Sequence, residues 1–185
     1  FSMSSLYDRR ISDYLYRYTS DYKDINRLFP PLFYPRYRKI RELRYGENPH
    51  QSGALYIDES VQEPSVGRAQ VLSGKELSFN NIYDLNSAIE IAKEFEQMAC
   101  VIIKHTNPCG VGLSKVDITK AFQRALAADP VSAFGGIVAL NREVSEKCAR
   151  EMRQIFLEAI IAPSYDKKAL AILEKKKNVR LLTLR

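Results

Sequence analysis

From Gly53 onward, short apolar runs alternate with stretches of helical periodicity, and few folds accept that order. The runs at 54–57, 69–72, 100–103, 136–140, 159–162 and 179–184 read as strands. Between them, Ile82, Leu85, Ile89, Ala92 and Phe95 mark one helical face, with Asn81 placed to cap it. Asp117 precedes a helix carrying Ala121, Phe122, Ala125 and Leu126. Ser145 opens a helix through Phe156, and Asp166 opens another that runs to Lys175. Apolar strands alternating with amphipathic helices predict an α/β fold: a mainly parallel sheet with helices on both faces.

The first 45 or so residues follow another rule. Tyr7, Ile11, Tyr14, Leu15 and Tyr18 recur at helical spacing, with Ser4 or Ser5 available as a cap. Pro30, Pro31 and Pro35 then forbid a continuous helix, so a helix followed by an extended arm is expected. The many aromatics of that arm suggest burial against a partner surface. At 185 residues and 45% hydrophobic content, the chain can bury one domain's core, or one domain with an appendage. A bare strand at Arg185 and an arm at the front suggest a piece of a longer protein.

Charge and cysteine usage narrow the function. Lys and Arg total 28 against 22 acidic residues, a net +6 that favours an anionic ligand such as a phosphate. Arg36, Arg38, Lys39 and Arg41, interleaved with Tyr34 and Tyr37, raise a nucleic-acid reading. The stretch is short and acidic residues are scattered through the rest, so no nucleic-acid partner is expected. Apolar runs such as 101–103 and 137–140 are too short to span a bilayer, and no basic region precedes an apolar stretch as in a signal peptide. Three separated cysteines (Cys100, Cys109, Cys148) and two histidines (His50, His105) make neither a disulfide framework nor a zinc set. A reduced, cytoplasmic protein without metal is expected.

Three segments could carry chemistry, and in a parallel sheet they would lie beyond the carboxyl ends of the strands. The first is 104–110, where Lys104 and His105 follow a buried strand and lead into an Asn-Pro-Cys-Gly turn. A histidine there can act as a base near neutral pH, and a lysine can stabilise an oxyanion. The second is 129–136, where Gly135 and Gly136 permit close approach of a ligand to the backbone. The third is 44–51, with Arg44, Tyr45, Asn48 and His50 around a Gly and a Pro. Arg44 could fork onto a phosphate or carboxylate. The pattern alone leaves each open to a plainer reading: a surface Lys-His pair, a tight turn over Phe134, and a continuation of the basic arm. There is no P-loop, no complete GxGxxG fingerprint and no HxE…CxxC zinc set.

Together these segments resemble one family. Residues 43–51 (LRYGENPHQ), 74–88 (GKELSFNNIYDLNSA), 102–112 (IIKHTNPCGVG), 129–142 (DPVSAFGGIVALNR) and 160–173 (IIAPSYDKKALAIL) resemble the motifs of AICAR transformylases, in the same order. AICAR is 5-aminoimidazole-4-carboxamide ribonucleotide. Residues 4–15 (SSLYDRRISDYL) resemble the end of a preceding IMP cyclohydrolase domain and its link to the transformylase.

The resemblance implies a cytidine-deaminase-like layered fold without zinc. Residues 1–42 would be a linker arm after a cyclohydrolase domain, and 43–185 the first part of the transformylase domain. It implies formyl transfer from 10-formyltetrahydrofolate, a co-substrate rather than a bound cofactor, to the 5-amino group of AICAR. By the same resemblance His105 is the base and Lys104 stabilises the tetrahedral intermediate or assists the folate leaving nitrogen. Arg44, Tyr45, Gly135 and Glu158 hold the nucleotide, and Asn48 and His50 shape its pocket. It further implies a homodimer with sites near the subunit interface and a parent enzyme with cyclohydrolase activity. The other reading is a nucleotide-binding or dimerisation fragment inactive on its own.

Overall fold

The computed structural model describes residues 1–16 and 35–184, which fall in two compact units, Phe1–Arg36 and Tyr37–Arg185. In the smaller unit, helix α1 spans Ser2–Tyr16, as the spacing of Tyr7, Ile11, Tyr14 and Leu15 predicts. Ser4 and Ser5 are not its caps but lie within its first turns. Ser4 Oγ and the Ser5 amide both donate to the Phe1 carbonyl at 3.0 Å, so the helix starts earlier. Tyr18, Pro30 and Pro31, and with them most of the expected arm, lie outside the described residues.

The larger unit begins with an antiparallel pair, β1 (Arg38–Leu43) and β2 (Gly53–Ile57). Its main body is one six-stranded sheet. In chain order the elements are β3 (Gln70–Ser73), α2 (Phe79–Lys93), β4 (Met98–Lys104), β5 (Asn107–Ser114), α3 (Ile118–Ala128), β6 (Gly136–Leu140), α4 (Glu146–Met152), β7 (Leu157–Ala162), α5 (Lys167–Leu173) and β8 (Arg180–Thr183). The strands stand in the order β3-β8-β7-β6-β4-β5.

This is the expected α/β layer, but the sheet is mixed rather than mainly parallel. Only β6–β7 and β7–β8 run parallel, while β3–β8, β4–β6 and β4–β5 are antiparallel. The difference arises at residues 104–107. The sequence there reads as a loop, whereas the chain reverses through a two-residue turn, His105-Thr106, and returns as β5. Pro108, Gly110 and Gly112 hide this strand from a propensity reading. Pro108 is tolerated because β5 is an edge strand and the ladder slips beside it, between Ile102 and Ile103. The glycines have a packing role: a Cβ at Gly110 or Gly112 would run into the carbonyl oxygens of Ala125 and Ala121, so α3 sits directly on β5.

The core follows from the period-2 alternation of β4. Val101 and Ile103 face a cluster with Leu85, Ala88, Ile89 and Ala92 of α2. Cys100 and Ile102 face the other way, into a cluster with Phe122, Ala125, Cys148, Met152 and Leu173 from α3, α4 and α5. One helix therefore covers one face and three cover the other. Phe122, Ile102, Ile103, Ile160, Ile161 and Leu181 are almost wholly buried, each stabilising the fold by about 1.5–3 kcal/mol relative to exposure.

Two caps behave as expected: Asp117 and Ser145 accept from the Lys120 and Cys148 amides at the starts of α3 and α4. Asp166, expected as the first residue of its helix, instead caps α5 by accepting from the Ala169 amide. Asn81 does not cap α2. Ser78 does, and Asn81 closes a reciprocal capping box with it. Helix α4 stops at Met152, short of Phe156, whose carbonyl turns to accept from the Gly135 amide at 2.9 Å.

Candidate active site

The strand register lines up one rim of the sheet. Ile103 pairs with Ile137, Gly136 with Leu157, and Ala159 with Arg180. The carboxyl end of β4 thus lies beside the amino ends of β6, β7 and β8. Lys104, Gly135, Glu158 and Arg180 fall on this rim in that order. The site does not gather beyond the carboxyl ends of a parallel sheet as expected: β4 is antiparallel to β6 and β3 to β8, so this rim joins the carboxyl ends of β3 and β4 to the amino ends of β6, β7 and β8.

Lys104 is half-buried, and its Nζ donates to the Phe134 carbonyl at 2.9 Å. That bond ties the end of β4 to the 129–136 segment. The segment is itself held by Ser132 N–H to Asp129 Oδ1 at 2.9 Å and Gly136 N–H to Ala133 O at 3.0 Å. Gly135 has φ 76°, a left-handed conformation that glycine adopts without a Cβ penalty. His105 is exposed at the tip of the β4–β5 hairpin. Its φ is 51° and that of Thr106 is 63°, which costs roughly 1–2 kcal/mol per non-glycine residue. Thr106 N–H donates to Asp84 Oδ1 at 2.7 Å, and Asn107 Nδ2 donates to the His105 carbonyl at 2.9 Å.

Glu158 lies between two groups that the sequence reading did not single out as part of the site. Asn81 Nδ2 donates to its Oε2 at 3.1 Å, and Arg180 Nη1 donates to the same oxygen at 3.3 Å. Arg180 is 6% exposed and also donates from Nε to the Glu76 carbonyl at 3.1 Å. Burial presses its guanidinium below the ordinary value, while Glu158 pulls the other way; Tyr45 and Arg44 act on it as well. The 44–45 segment is therefore within electrostatic reach of Arg180. It is docked by backbone bonds: Arg44 N–H to Leu77 O at 2.9 Å and Phe79 N–H to Tyr45 O at 3.3 Å. The Arg44 guanidinium sits 5.5 Å from the Tyr45 ring centroid and is exposed.

Asn48 and His50 are placed differently. Asn48 closes the turn between β1 and β2, its amide donating to Gln51 Oε1 at 2.8 Å. His50 is exposed and lines a shallow polar cleft with Arg44 and Gln51. Among the described residues, no hydrogen bond or ion pair links Asn48 or His50 to Lys104, His105 or Glu158. The strand register thus sets Lys104, Gly135, Glu158 and Arg180 along one rim with His105 at the adjoining hairpin tip; Arg44 and Tyr45 dock at the start of α2 within electrostatic reach of Arg180, and His50 shares a cleft with Arg44. Asn81 was expected as a cap and is instead the N3 partner of Ser78; the spacing of Ser78 and Asn81 signals the capping box, but nothing in it signals the reach to Glu158. Arg180 carried no signal, since an arginine opening a strand is ordinary. Among the described residues, no group of three or more His, Cys, Asp or Glu could hold a metal ion, and no helix is long and apolar enough to cross a membrane.

A rim that sets a lysine, an imidazole and a carboxylate beside an exposed guanidinium suits a polar anionic ligand. The family described as the AICARFT/IMPCHase bienzyme matches residues 1–185. The chain belongs to the AICARFT/IMPCHase bienzyme family. It is 47% identical over 184 residues to the bifunctional purine biosynthesis protein PurH of Oceanobacillus iheyensis, covering 100% of this chain and 35% of that protein. It is 51% identical over 183 residues to the protein of the same name from Anaeromyxobacter sp. Fw109-5, covering 98% of this chain and 34% of the relative. The chain thus spans about a third of the length of these relatives. Among solved structures, the dCMP deaminase of cyanophage S-TIM5 in apo form is similar at TM-score 0.43 and 10% identity, over 51% of this chain and 94% of that one. A putative formate dehydrogenase accessory protein from Desulfotalea psychrophila is similar at TM-score 0.45 and 8% identity, over 80% and 85%. Likenesses at this level say nothing about the bienzyme-family site.

Proposed function

We propose that this chain forms the nucleotide-holding and base-bearing part of an AICAR formyltransferase. The observation that carries this reading is the single rim on which Lys104, His105, Gly135 and Glu158 stand in a member of this family. The nucleophile is a poor one, because the lone pair of the 5-amino group is delocalised into the imidazole and its carboxamide. As the amine nitrogen bonds to the formyl carbon of 10-formyltetrahydrofolate, His105 takes the amine proton. The Lys104 ammonium stabilises the oxyanion of the tetrahedral intermediate. Collapse expels N10 of the folate, which leaves with the proton that His105 took from the amine, passed on directly or through the Lys104 ammonium. Arg44 binds the phosphate, with Tyr45 and the Gly135 backbone beside it, and Glu158 accepts from the nucleotide's hydroxyls.

The parent enzyme would be a cytoplasmic homodimer that also carries IMP cyclohydrolase activity. Because the chain spans about a third of its relatives, nucleotide binding without turnover is what the isolated chain should show. Calorimetric titration with AICAR and with an oligonucleotide tests the reading. AICAR should bind in a salt-dependent manner and the oligonucleotide should not. Arg44→Ala should weaken AICAR binding by about 1.5–3 kcal/mol, as for a lost charge-assisted hydrogen bond. Unchanged affinity would remove Arg44 from the nucleotide site.

A further inference from the structure

The hairpin turn that presents His105 is held from outside. In a two-residue hairpin turn of type I′ both central residues take positive φ, and Asn-Gly is the pair that adopts it most readily. Here the pair is His105-Thr106, at φ 51° and 63°. A β-branched residue such as Thr106 is among the least suited to this region. Histidine enters this region more readily than most residues, and Thr106 Oγ1 and Asn107 Nδ2 both donate to the His105 carbonyl, at 2.6 and 2.9 Å, but none of this holds the Thr106 amide.

The restraint on that amide comes from α2. Asp84 Oδ1 accepts from the Thr106 amide at 2.7 Å, across 22 residues of sequence. The carboxylate also acts electrostatically on the Cys109 thiol, a hairpin group that Lys104 influences in the opposite sense. Asp84 lies one helical turn beyond Asn81, whose amide holds Glu158. One face of α2 thus reaches both the turn of His105 and the carboxylate of β7. We propose that Asp84 is a positioning residue that fixes the His105-Thr106 turn in its left-handed shape and so aims the His105 imidazole along the rim. The inference rests on the reading of His105 as the base.

Steady-state kinetics of the full-length enzyme tests it. Asp84→Ala should lower kcat about 10- to 100-fold, as expected when a reacting group is displaced by about an ångström, while KM for AICAR changes far less. Asp84→Asn keeps an oxygen acceptor at the same place and should retain near-normal kcat. Asp84→Glu keeps the charge but carries it a methylene further, so kcat should fall. Adding Thr106→Gly to Asp84→Ala should restore part of the loss, because glycine takes positive φ freely. Hydrogen exchange supplies a readout independent of turnover: the Thr106 amide should be protected in the wild type and in Asp84→Asn, and exchange fast in Asp84→Ala. Normal kcat in Asp84→Ala, or a fall in Asp84→Asn equal to that in Asp84→Glu, overturns the proposal. Should Asp84→Ala not fold, the Asn and Glu variants decide. His105→Ala run alongside separates the two claims: if it leaves turnover intact, the base assignment fails on its own account.

Discussion

Removing Arg180 should loosen the rim measurably. Its guanidinium is 6% exposed and donates to three acceptors on two residues: the Glu76 carbonyl at 3.1 Å, the Glu158 carbonyl at 3.4 Å and Glu158 Oε2 at 3.3 Å. Truncation to Ala leaves two carbonyls and a carboxylate short of a donor and opens space at the start of β8. Breaking a fully buried charge pair costs about 3–5 kcal/mol. The Glu158 side chain is 41% exposed, however, so water takes over part of the lost interaction. The net loss should be about 2–4 kcal/mol, or roughly 4–16 °C in melting temperature for a domain of this size. Arg180→Lys keeps the charge but lacks the fork, so it should recover only part of the loss. Thermal unfolding of the wild type and both variants by circular dichroism is the assay. If Arg180→Ala melts within about 2 °C of the wild type, the network does not hold the rim together.

The buried thiols give the chain an alkaline limit. Burial pushes Cys148 from the ordinary 9.0 up to about 12 and raises Cys100 as well, so these groups stay protonated in the fold while they ionise in the unfolded chain. Stability from this source is complete below pH 9.0 and lost as pH climbs toward about 12; a urea midpoint that holds constant over that range would contradict it. Lys104→Arg in the full-length enzyme should rescue turnover poorly if the ammonium also passes a proton to the folate nitrogen, since a guanidinium hardly deprotonates. Turnover near the wild-type rate in that variant would leave Lys104 a purely electrostatic part.

Much of this fold was legible because burial is written in periodicity. Strand β4 is buried on both faces and reads as a continuous apolar run, and α2 and α3 show their faces at helical spacing. Strand β5 was not legible: its Asn-Pro-Cys-Gly-Val-Gly start matches turn statistics, and only contact with α3 explains why glycine is needed there. That one strand hid the antiparallel half of the sheet, and with it the end at which the site lies. Lys104, His105 and Gly135 could be found because they adjoin recognisable strands. Asn81, Asp84 and Arg180 could not, because each acts across many residues of sequence: 77 from Asn81 to Glu158, 22 from Asp84 to Thr106, and 104 from Arg180 to Glu76. Asn48 and His50 part ways: the β1–β2 turn uses Asn48 for its own closure, while His50 shares a polar cleft with Arg44.

The role of His105 is the centre of this account, and turnover of a His105→Ala full-length enzyme tests it most directly. The imidazole stands exposed at a hairpin tip, beside the lysine that closes β4. If it removes the amine proton, its loss should lower kcat about 10²–10⁴-fold. AICAR affinity by calorimetry should change far less, because a base acts mainly in the transition state. Replacing Lys104 and His105 together should cost much less than the product of the single losses if they act as a unit. A His105→Ala enzyme that turns over at near the wild-type rate would contradict the account and leave His105 a turn residue.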